Sequence, residues 1–584
     1  MKTVAYLYMT AFMTASSLYA GAPDDIDVDA ILGKMTLPQK IGQMMIIGYE
    51  GRRVTPEAMA RIQEDNLGGF FFQPISNFNF PDELARLVAD LQSAALASPI
   101  GIPLFVCMDA EGGAAAPIHY MLGATPTPGN MALGASGREE DAYAAYYALG
   151  SDLRACGANV NFAPVVDVLK SPKNPDFTIR AFGGDSKRNA VLGRGAIRGL
   201  HDAGVIPCAK HFPGLVYEEE DSHRAISHIA LPESTFMEDG LAHFQASIDA
   251  GLDMIMTHHA IFDAWDPDYP VTLSSKVITG VLRQRLNYKN LVVTDSMGMG
   301  GLASQYGLAG STVLAVRAGC DLVLQVSRDV QEVNERIAAV ADAVRNGRIT
   351  EQQIDDAVRK ILKTKAKYTL FTNAKPDVDK VYQLLAQPEA IAANKQAALN
   401  GIVVVRDEDR LLPLPVEGKK ICVVCTPSVI TRAGKGRDGA GESLPVGYTF
   451  GRYVRALVPG AEEARVDTVP SEAEMRYARN KASAADILIV TSLLAMQSPK
   501  QVQCIKDLIA LGKPTVVVGL GDPSDLTQFM EARTFVAANS PVPISLEAAA
   551  HVLFGKAAAG GTLPMPIGDA YPMGHALART SQKE

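Results

Sequence analysis

Val205-Ile206-Pro207-Cys208-Ala209-Lys210-His211-Phe212-Pro213-Gly214 starts as an apolar run and ends on a lysine and a histidine. A run without polar alternation is what a strand buried on both faces requires, and helix-covered parallel sheets are built from such strands. Seven further runs of this kind precede or follow it: Gly42–Gly48, Gly68–Phe72, Pro103–Met108, Ala158–Val166, Asp253–Thr257, Asn290–Thr294 and Cys320–Val326. Most are rich in β-branched or aromatic residues and are followed by a helix-sized segment. Eight strand–helix units over about 300 residues predict a (β/α)₈ TIM barrel. Polar groups gather where the runs end: Asp109, Asp167, Lys210-His211, His258-His259, Asp295 and Gln325. In this fold the carboxyl ends of the strands carry the reactive residues, so the clustering predicts an enzyme pocket.

The chain has 584 residues, too many for one ordinary core, and the pattern restarts after the barrel. Helices are expected over Gln352–Tyr368 and Pro388–Leu399, with a linker around Asn373–Asp379. Gly401–Val405, Ile421–Thr426, Asp486–Ser492, Pro514–Val518 and Thr534–Ala538 read as strands, with helices over Pro499–Leu511 and Leu546–Phe554. This predicts a three-layer α/β/α sandwich with a mostly parallel sheet. The expected organisation is residues 1–22 as a signal peptide, 23–370 as the catalytic barrel, 371–395 as a linker and 396–584 as the sandwich. The glycine-rich stretch Gly434–Gly441, with Lys435 and Arg437, lacks phosphate-loop spacing and reads as a surface loop.

Lys2 before the apolar and small-residue run Val4–Ala20, with Ser16, Ser17, Ala20 and Ala22 near its end, predicts export to a periplasmic or secreted location. No later stretch is apolar enough to span a membrane. An apolar fraction of 47% describes a packed globular protein, and a net charge of −9 argues against nucleic acid or an anionic membrane as the partner. Seven cysteines, most within apolar runs, read as buried small hydrophobes. Cys422-Val-Val-Cys425 has no second ligand pair nearby. No metal site and no cofactor are expected.

Asp221-Ser222-His223 follows the opening stretch. An Asp two residues before a His can fix the imidazole tautomer and raise its basicity, which suits general acid/base work. Asp295 closes a strand and precedes Ser-Met-Gly-Met-Gly-Gly; it reads equally as a reactive carboxylate or a helix N-cap. Arg180, in the loop after the fourth run, suits a fork of hydrogen bonds to hydroxyls or an ion pair with Asp176 or Asp185. Lys210 and His211 serve either a pocket rim or a buried network.

These motifs together resemble glycoside hydrolase family 3, and within it the β-N-acetylglucosaminidase branch. The resemblance is carried by Cys156-Gly-Ala-Asn-Val-Asn-Phe-Ala-Pro-Val-Val-Asp167, Ile179-Arg-Ala-Phe-Gly183, Gly204-Val-Ile-Pro-Cys-Ala-Lys-His-Phe-Pro-Gly214, Asp221-Ser-His223 and Val292-Val-Thr-Asp295. Gly401-Ile-Val-Val-Val, Asp409-Arg-Leu-Leu-Pro-Leu, Ser545-Leu-Glu-Ala-Ala-Ala and Gly561-Thr-Leu-Pro extend it into the second domain. The resemblance implies a retaining exo-acting enzyme. Asp295 would be the nucleophile, His223 held by Asp221 the acid/base, and Asp109, Arg180, Lys210 and His211 the residues that hold sugar hydroxyls. It implies a carbohydrate partner: a glycan, muropeptide or chitooligosaccharide carrying terminal β-linked N-acetylglucosamine or a related N-acetylhexosamine, as in cell-wall fragments. A histidine repels an anionic acceptor less than a carboxylate does, so phosphorolysis stays open beside hydrolysis. The residues also leave room for a family 3 β-glucosidase, with a Glu acid/base from the second domain, and for a catalytically weakened carbohydrate-binding homologue. Two departures stand out. The family's His-Gly-Asp-Thr is replaced at Leu215-Val-Tyr-Glu218, and two arginines expected after Asp109-Ala-Glu-Gly-Gly113 are replaced by Ala114-Ala-Ala-Pro117.

Overall fold

Eight of the apolar runs become parallel strands: β1 (Met45–Gly48), β2 (Gly69–Phe71), β3 (Phe105–Met108), β4 (Val160–Asn161), β5 (Ile206–Phe212), β6 (Met254–Thr257), β7 (Leu291–Val293) and β8 (Val323–Gln325). Every residue in them is buried, as strands covered on one side by helices and on the other by the barrel interior must be. They pair in the order β7-β6-β5-β4-β3-β2-β1-β8, and one further parallel bridge, Val293 to Leu322, joins the two ends into a barrel. This computed structural model describes residues 24–577 except 75, 116–122, 172–177, 218–225, 237–240, 327–328 and 428–448.

Most strands are shorter than their apolar runs, and in two cases the cause is local. The first begins not at Gly42 but at Met45, because Leu37–Gln43 is helical. Gln39 Oε1 accepts from the Thr36 amide at 3.0 Å and Pro38 occupies the first turn, so a capped helix takes the start of the run. The fourth is laddered only at Val160–Asn161. Pro164 has no amide to donate, and pairing with β5 resumes only at the Val165–Lys210 bridge.

The barrel floor holds a buried cation. Lys365, on the helix Glu351–Lys367, is fully buried and donates to Gln43 Oε1 at 2.9 Å and the Gly68 carbonyl at 3.0 Å. Its Nζ also lies 4.7 Å from the Phe105 ring centroid. No carboxylate is among these partners, and burial lowers its pKa from 10.5 to about 7. A folded pKa below the unfolded one means that the unfolded chain binds more protons between those values. The contribution of Lys365 to stability therefore rises as pH increases from about 7 toward 10.5. Denaturant titrations of wild type and Lys365→Met should give a stability difference that changes by a few kcal/mol (order of magnitude) over this window. Parallel pH curves would assign the pH dependence to other groups.

The second sheet comprises β9 (Val403–Asp407), β10 (Ile421–Cys425), β11 (Glu462–Arg465), β12 (Ile487–Ser492), β13 (Thr515–Gly519) and β14 (Thr534–Ala537), ordered β9-β14-β13-β12-β10-β11. Only the β9–β14 pair is antiparallel, so the sheet is mostly parallel as expected. The edge strand β11 is not legible in the sequence because Glu-Glu-Ala-Arg has only one buried residue, Ala464. Helices Phe450–Leu457, Glu472–Ser483, Pro499–Ile509 and Pro543–Leu553 cover the sheet. All seven cysteines are buried.

The carboxyl edge of this sheet meets the rim of the barrel. A Cβ built on Gly521, just beyond β13, would lie 3.7 Å from Ile179 Cγ2, and one on Gly129 would lie 3.4 Å from Ser540 Oγ, beyond β14. Met565 packs with Met131, Leu169, Ala181 and Ile179. The Gly184 amide donates to the Pro564 carbonyl at 3.0 Å, and the Thr562 amide to the Ala135 carbonyl at 2.9 Å.

Candidate active site

The strand ends bring four ionic groups into one network. Asp109 follows β3 directly, and the next turn is fixed by Asn161 at the end of β4. Asn161 accepts from the Ala110 amide at 2.9 Å and donates to the Ala110 carbonyl at 3.0 Å. This clamp sends Glu111 inward, where its side chain is only 4% exposed. Glu111 receives Lys210 Nζ at 2.7 Å, Arg180 Nε at 2.7 Å and Arg180 Nη2 at 2.8 Å. Lys210 also donates to Asp109 at 2.7 Å. Burial alone would raise the pKa of Glu111, but Arg180 and Lys210 hold it well below the carboxylate range. Burial would likewise lower Lys210, and Asp109 and Glu111 raise it instead. Both ions stay charged at any working pH. The Asp109 side chain is 41% exposed while that of Lys210 is 3% exposed, so Asp109 is the most exposed member of the network.

A second pair lies beside the first. Asp167 accepts the backbone amide of His211 at 2.9 Å and its Nδ1 at 2.8 Å. This fixes the ring and aims Nε2 at Asp295 Oδ2, 3.9 Å away. Asp295 Oδ1 accepts the Ser296 amide at 2.6 Å. Burial would raise its pKa, yet His211, His259, this amide and Lys210 hold it at about 2, so the carboxylate is ionised at neutral pH. The following helix starts only at Gly300, so Asp295 is not an N-cap. Gln325, at the end of β8, is taken up by Arg336 at 2.8 Å and Glu332 at 3.1 Å.

Of the sequence-predicted site residues, Asp109, Arg180, Lys210, His211 and Asp295 are brought together at the barrel mouth. Asp221 and His223 lie outside the described residues. The backbone leading to them is placed: Leu215–Val216 pairs with Val168–Leu169, and the Val168 amide donates to the Gly214 carbonyl at 2.8 Å. Gly214 has φ +82°, and a Cβ there would fall 2.3 Å from His243 Nε2 and 2.6 Å from the Phe244 ring. Only glycine fits this departure point. Arg180 is paired with Glu111 rather than Asp185, whose carboxylate caps its own helix through the Lys187 and Arg188 amides at 2.8 and 3.3 Å. Sequence reasoning misses Glu111, because one carboxylate among 64 acidic residues gains meaning only when two cations are shown to converge on it. His259 is visible in the sequence as a strand end, but nothing there gives it a role.

Among the described residues no group of three His, Cys, Asp or Glu side chains is arranged to hold a metal ion. No described helix is long and apolar enough to cross a membrane.

Residues 36–364 match the glycosyl hydrolase family 3 N terminal domain, and residues 402–573 match the corresponding C-terminal domain. A β-N-acetylglucosaminidase/β-glucosidase from Cellulomonas fimi is 27% identical over 574 residues, covering 93% of this chain and 97% of that protein. A β-hexosaminidase from Xylella fastidiosa is 31% identical over 302 residues, which are 51% of this chain and 87% of that protein. Among solved structures, a family 3 β-N-acetylglucosaminidase from Paenibacillus sp. str. FPU-7 is 34% identical, with a TM-score of 0.84, over 91% of this chain and 99% of that one.

Proposed function

The chain belongs to glycosyl hydrolase family 3, and from that premise we propose that it is a retaining exo-β-N-acetylhexosaminidase that releases terminal β-linked N-acetylglucosamine or a related N-acetylhexosamine. The observation that carries this reading is the ionised Asp295 facing His211 beside the Asp109–Lys210–Glu111–Arg180 network, all at one end of the barrel. The names of the similar proteins from Cellulomonas, Xylella and Paenibacillus support the N-acetylhexosamine specificity. Asp295 Oδ2 attacks the anomeric carbon, and the bond to the leaving oxygen breaks with its electron pair. His223, held by Asp221, gives that oxygen its proton. Water then loses a proton to His223 and attacks the anomeric carbon, freeing the Asp295 carboxylate and retaining the β configuration. Asp109, Arg180, Lys210 and His211 hold the hydroxyls of the non-reducing sugar, with Lys210 and Arg180 supplying donors and Asp109 an acceptor. We further propose, from the leader-like sequence of residues 1–22, that this activity works outside the cytoplasm on cell-wall or chitin-derived glycans.

The test is turnover of aryl β-N-acetylglucosaminide and aryl β-glucoside, with and without phosphate, following the anomeric proton by NMR. Hydrolysis of the first substrate to the β-anomer is expected. A preference for the glucoside overturns the specificity, and a sugar 1-phosphate product overturns hydrolysis. His223→Ala should lose about 10²–10⁴-fold on a phenyl glycoside and about tenfold or less on a dinitrophenyl glycoside, whose oxygen leaves without a proton. An equal loss on both removes His223 from the acid role.

A further inference from the structure

We propose that His259 is a positioning residue for Asp295: it fixes the turn that presents the carboxylate without touching the sugar. This rests on the reading of Asp295 as nucleophile. His259 is 4% exposed and sits just beyond β6. Its Nε2 lies 3.1 Å from the Ser296 carbonyl and its Nδ1 lies 2.8 Å from Thr272 Oγ1. A carbonyl only accepts, so Nε2 carries a proton, while Nδ1 shares the Thr272 hydroxyl with the His258 carbonyl, to which that hydroxyl donates at 2.9 Å. Burial lowers the His259 pKa, opposed by the Asp295 charge and the hydrogen bond to the Ser296 carbonyl. Thr272 Oγ1 is itself 2.7 Å from Thr257 Oγ1, so the ring is tied back to β6.

The peptide between Ser296 and Met297 is thereby gripped from both sides: His259 holds its carbonyl, and its amide donates to the Leu324 carbonyl of β8 at 2.9 Å. With that plane fixed, the Ser296 amide stays on Asp295 Oδ1 at 2.6 Å and Oδ2 is left toward His211. One oxygen is thus committed to the backbone and one is presented for attack. The remaining groups that face Asp295 are His211 and Lys210 from β5, and His258 faces His259. Loosening the turn withdraws the amide from Oδ1 and lets the carboxylate rotate away from the attack direction.

The experiment compares kcat/KM, KM and pH profiles on a dinitrophenyl β-N-acetylhexosaminide for wild type, His259→Gln, His259→Leu and Thr272→Val. A glutamine amide reaches the Ser296 carbonyl, so His259→Gln should stay within about fivefold of wild type. His259→Leu should lose about 10–100-fold in kcat with KM little changed, and the acid limb of kcat/KM should move toward neutral by about one pH unit, because the amide no longer favours the charged carboxylate. Thr272→Val, close to isosteric, should show a smaller shift in the same direction, and it carries the test if His259→Leu does not fold. An unchanged acid limb in Thr272→Val, or equal losses in His259→Gln and His259→Leu, overturns the inference. An inactive wild type overturns the proposed function instead.

Discussion

Asp295→Asn should lower kcat/KM on an aryl β-N-acetylhexosaminide by about 10⁴-fold or more, equivalent to about 5 kcal/mol or more of transition-state stabilisation. The substitution keeps the shape of the side chain and its acceptor for the Ser296 amide at 2.6 Å. It removes what the site has been arranged to hold, an anion at about pKa 2 in a half-buried position facing His211. An amide is a poor nucleophile and does not stabilise the positive charge that develops at the anomeric carbon. Because the free carboxylate is already ionised far below neutral pH, substituting it should not alter the alkaline limb, which belongs to the acid/base group. Steady-state kinetics, with a burst experiment on a dinitrophenyl substrate, check both points. Residual activity above about 1% would place the nucleophile elsewhere. The fold should tolerate the change, since among the described residues the nearest ion-pairing group, His211 Nε2, is 3.9 Å from Asp295.

Glu111→Gln has the second largest expected effect, and it should appear in stability as well as activity. The side chain is 4% exposed and joins Lys210 to both Nε and Nη2 of Arg180. A neutral amide can accept from one partner but presents an N–H to the other. Lys210 would keep Asp109, whereas Arg180 would lose the two hydrogen bonds it gives the Glu111 carboxylate. Breaking a buried ion pair on one side costs about 3–5 kcal/mol, because the remaining charge stays desolvated. On the substrate side, the forked donor of Arg180 loses its anchor, so KM should rise at least about tenfold while kcat changes less. Denaturant titration and the KM-to-kcat split are the measurements. A stable Glu111→Gln protein with wild-type KM would show that the other contacts of the Arg180 turn hold it without Glu111.

The barrel was legible because its strands are buried on both faces. An apolar run such as Pro103–Met108 can be little else when eight of them recur with helix-sized spacers. The end-of-strand rule then located Asp109, Lys210, His211 and Asp295 without any three-dimensional information. What stayed hidden was of two kinds. Structure set by backbone capping or proline, as at Leu37–Gln43 and Pro164, leaves an apolar pattern that looks like strand. Roles set by convergence across distant segments were invisible too. Glu111 and Arg180 are 69 residues apart and Lys210 is a further 30 beyond Arg180, and neither spacing carries a signal. β11 shows the converse: an edge strand made of Glu-Glu-Ala-Arg is held by its neighbour's ladder rather than by its own hydrophobicity.

The contact between the second sheet and the barrel rim couples the two domains at one turn. Arg180 stands on a turn whose neighbours Ile179 and Ala181 pack on Met565, and whose exit at Gly183–Gly184 is bonded to Pro564. Gly183 has φ +154°, and a Cβ there would collide with the Pro564 carbonyl at 2.3 Å, so the two strands of chain fit only as glycine against backbone. The same turn is held from the barrel side as well, where Asn130 Nδ2 donates to the Arg180 carbonyl at 2.7 Å and the Leu169 amide to the Gly183 carbonyl at 3.0 Å. Barrel and second domain therefore grip the Arg180 turn from opposite sides, and loosening the segment around Pro564 would free one side of it while its barrel contacts remain.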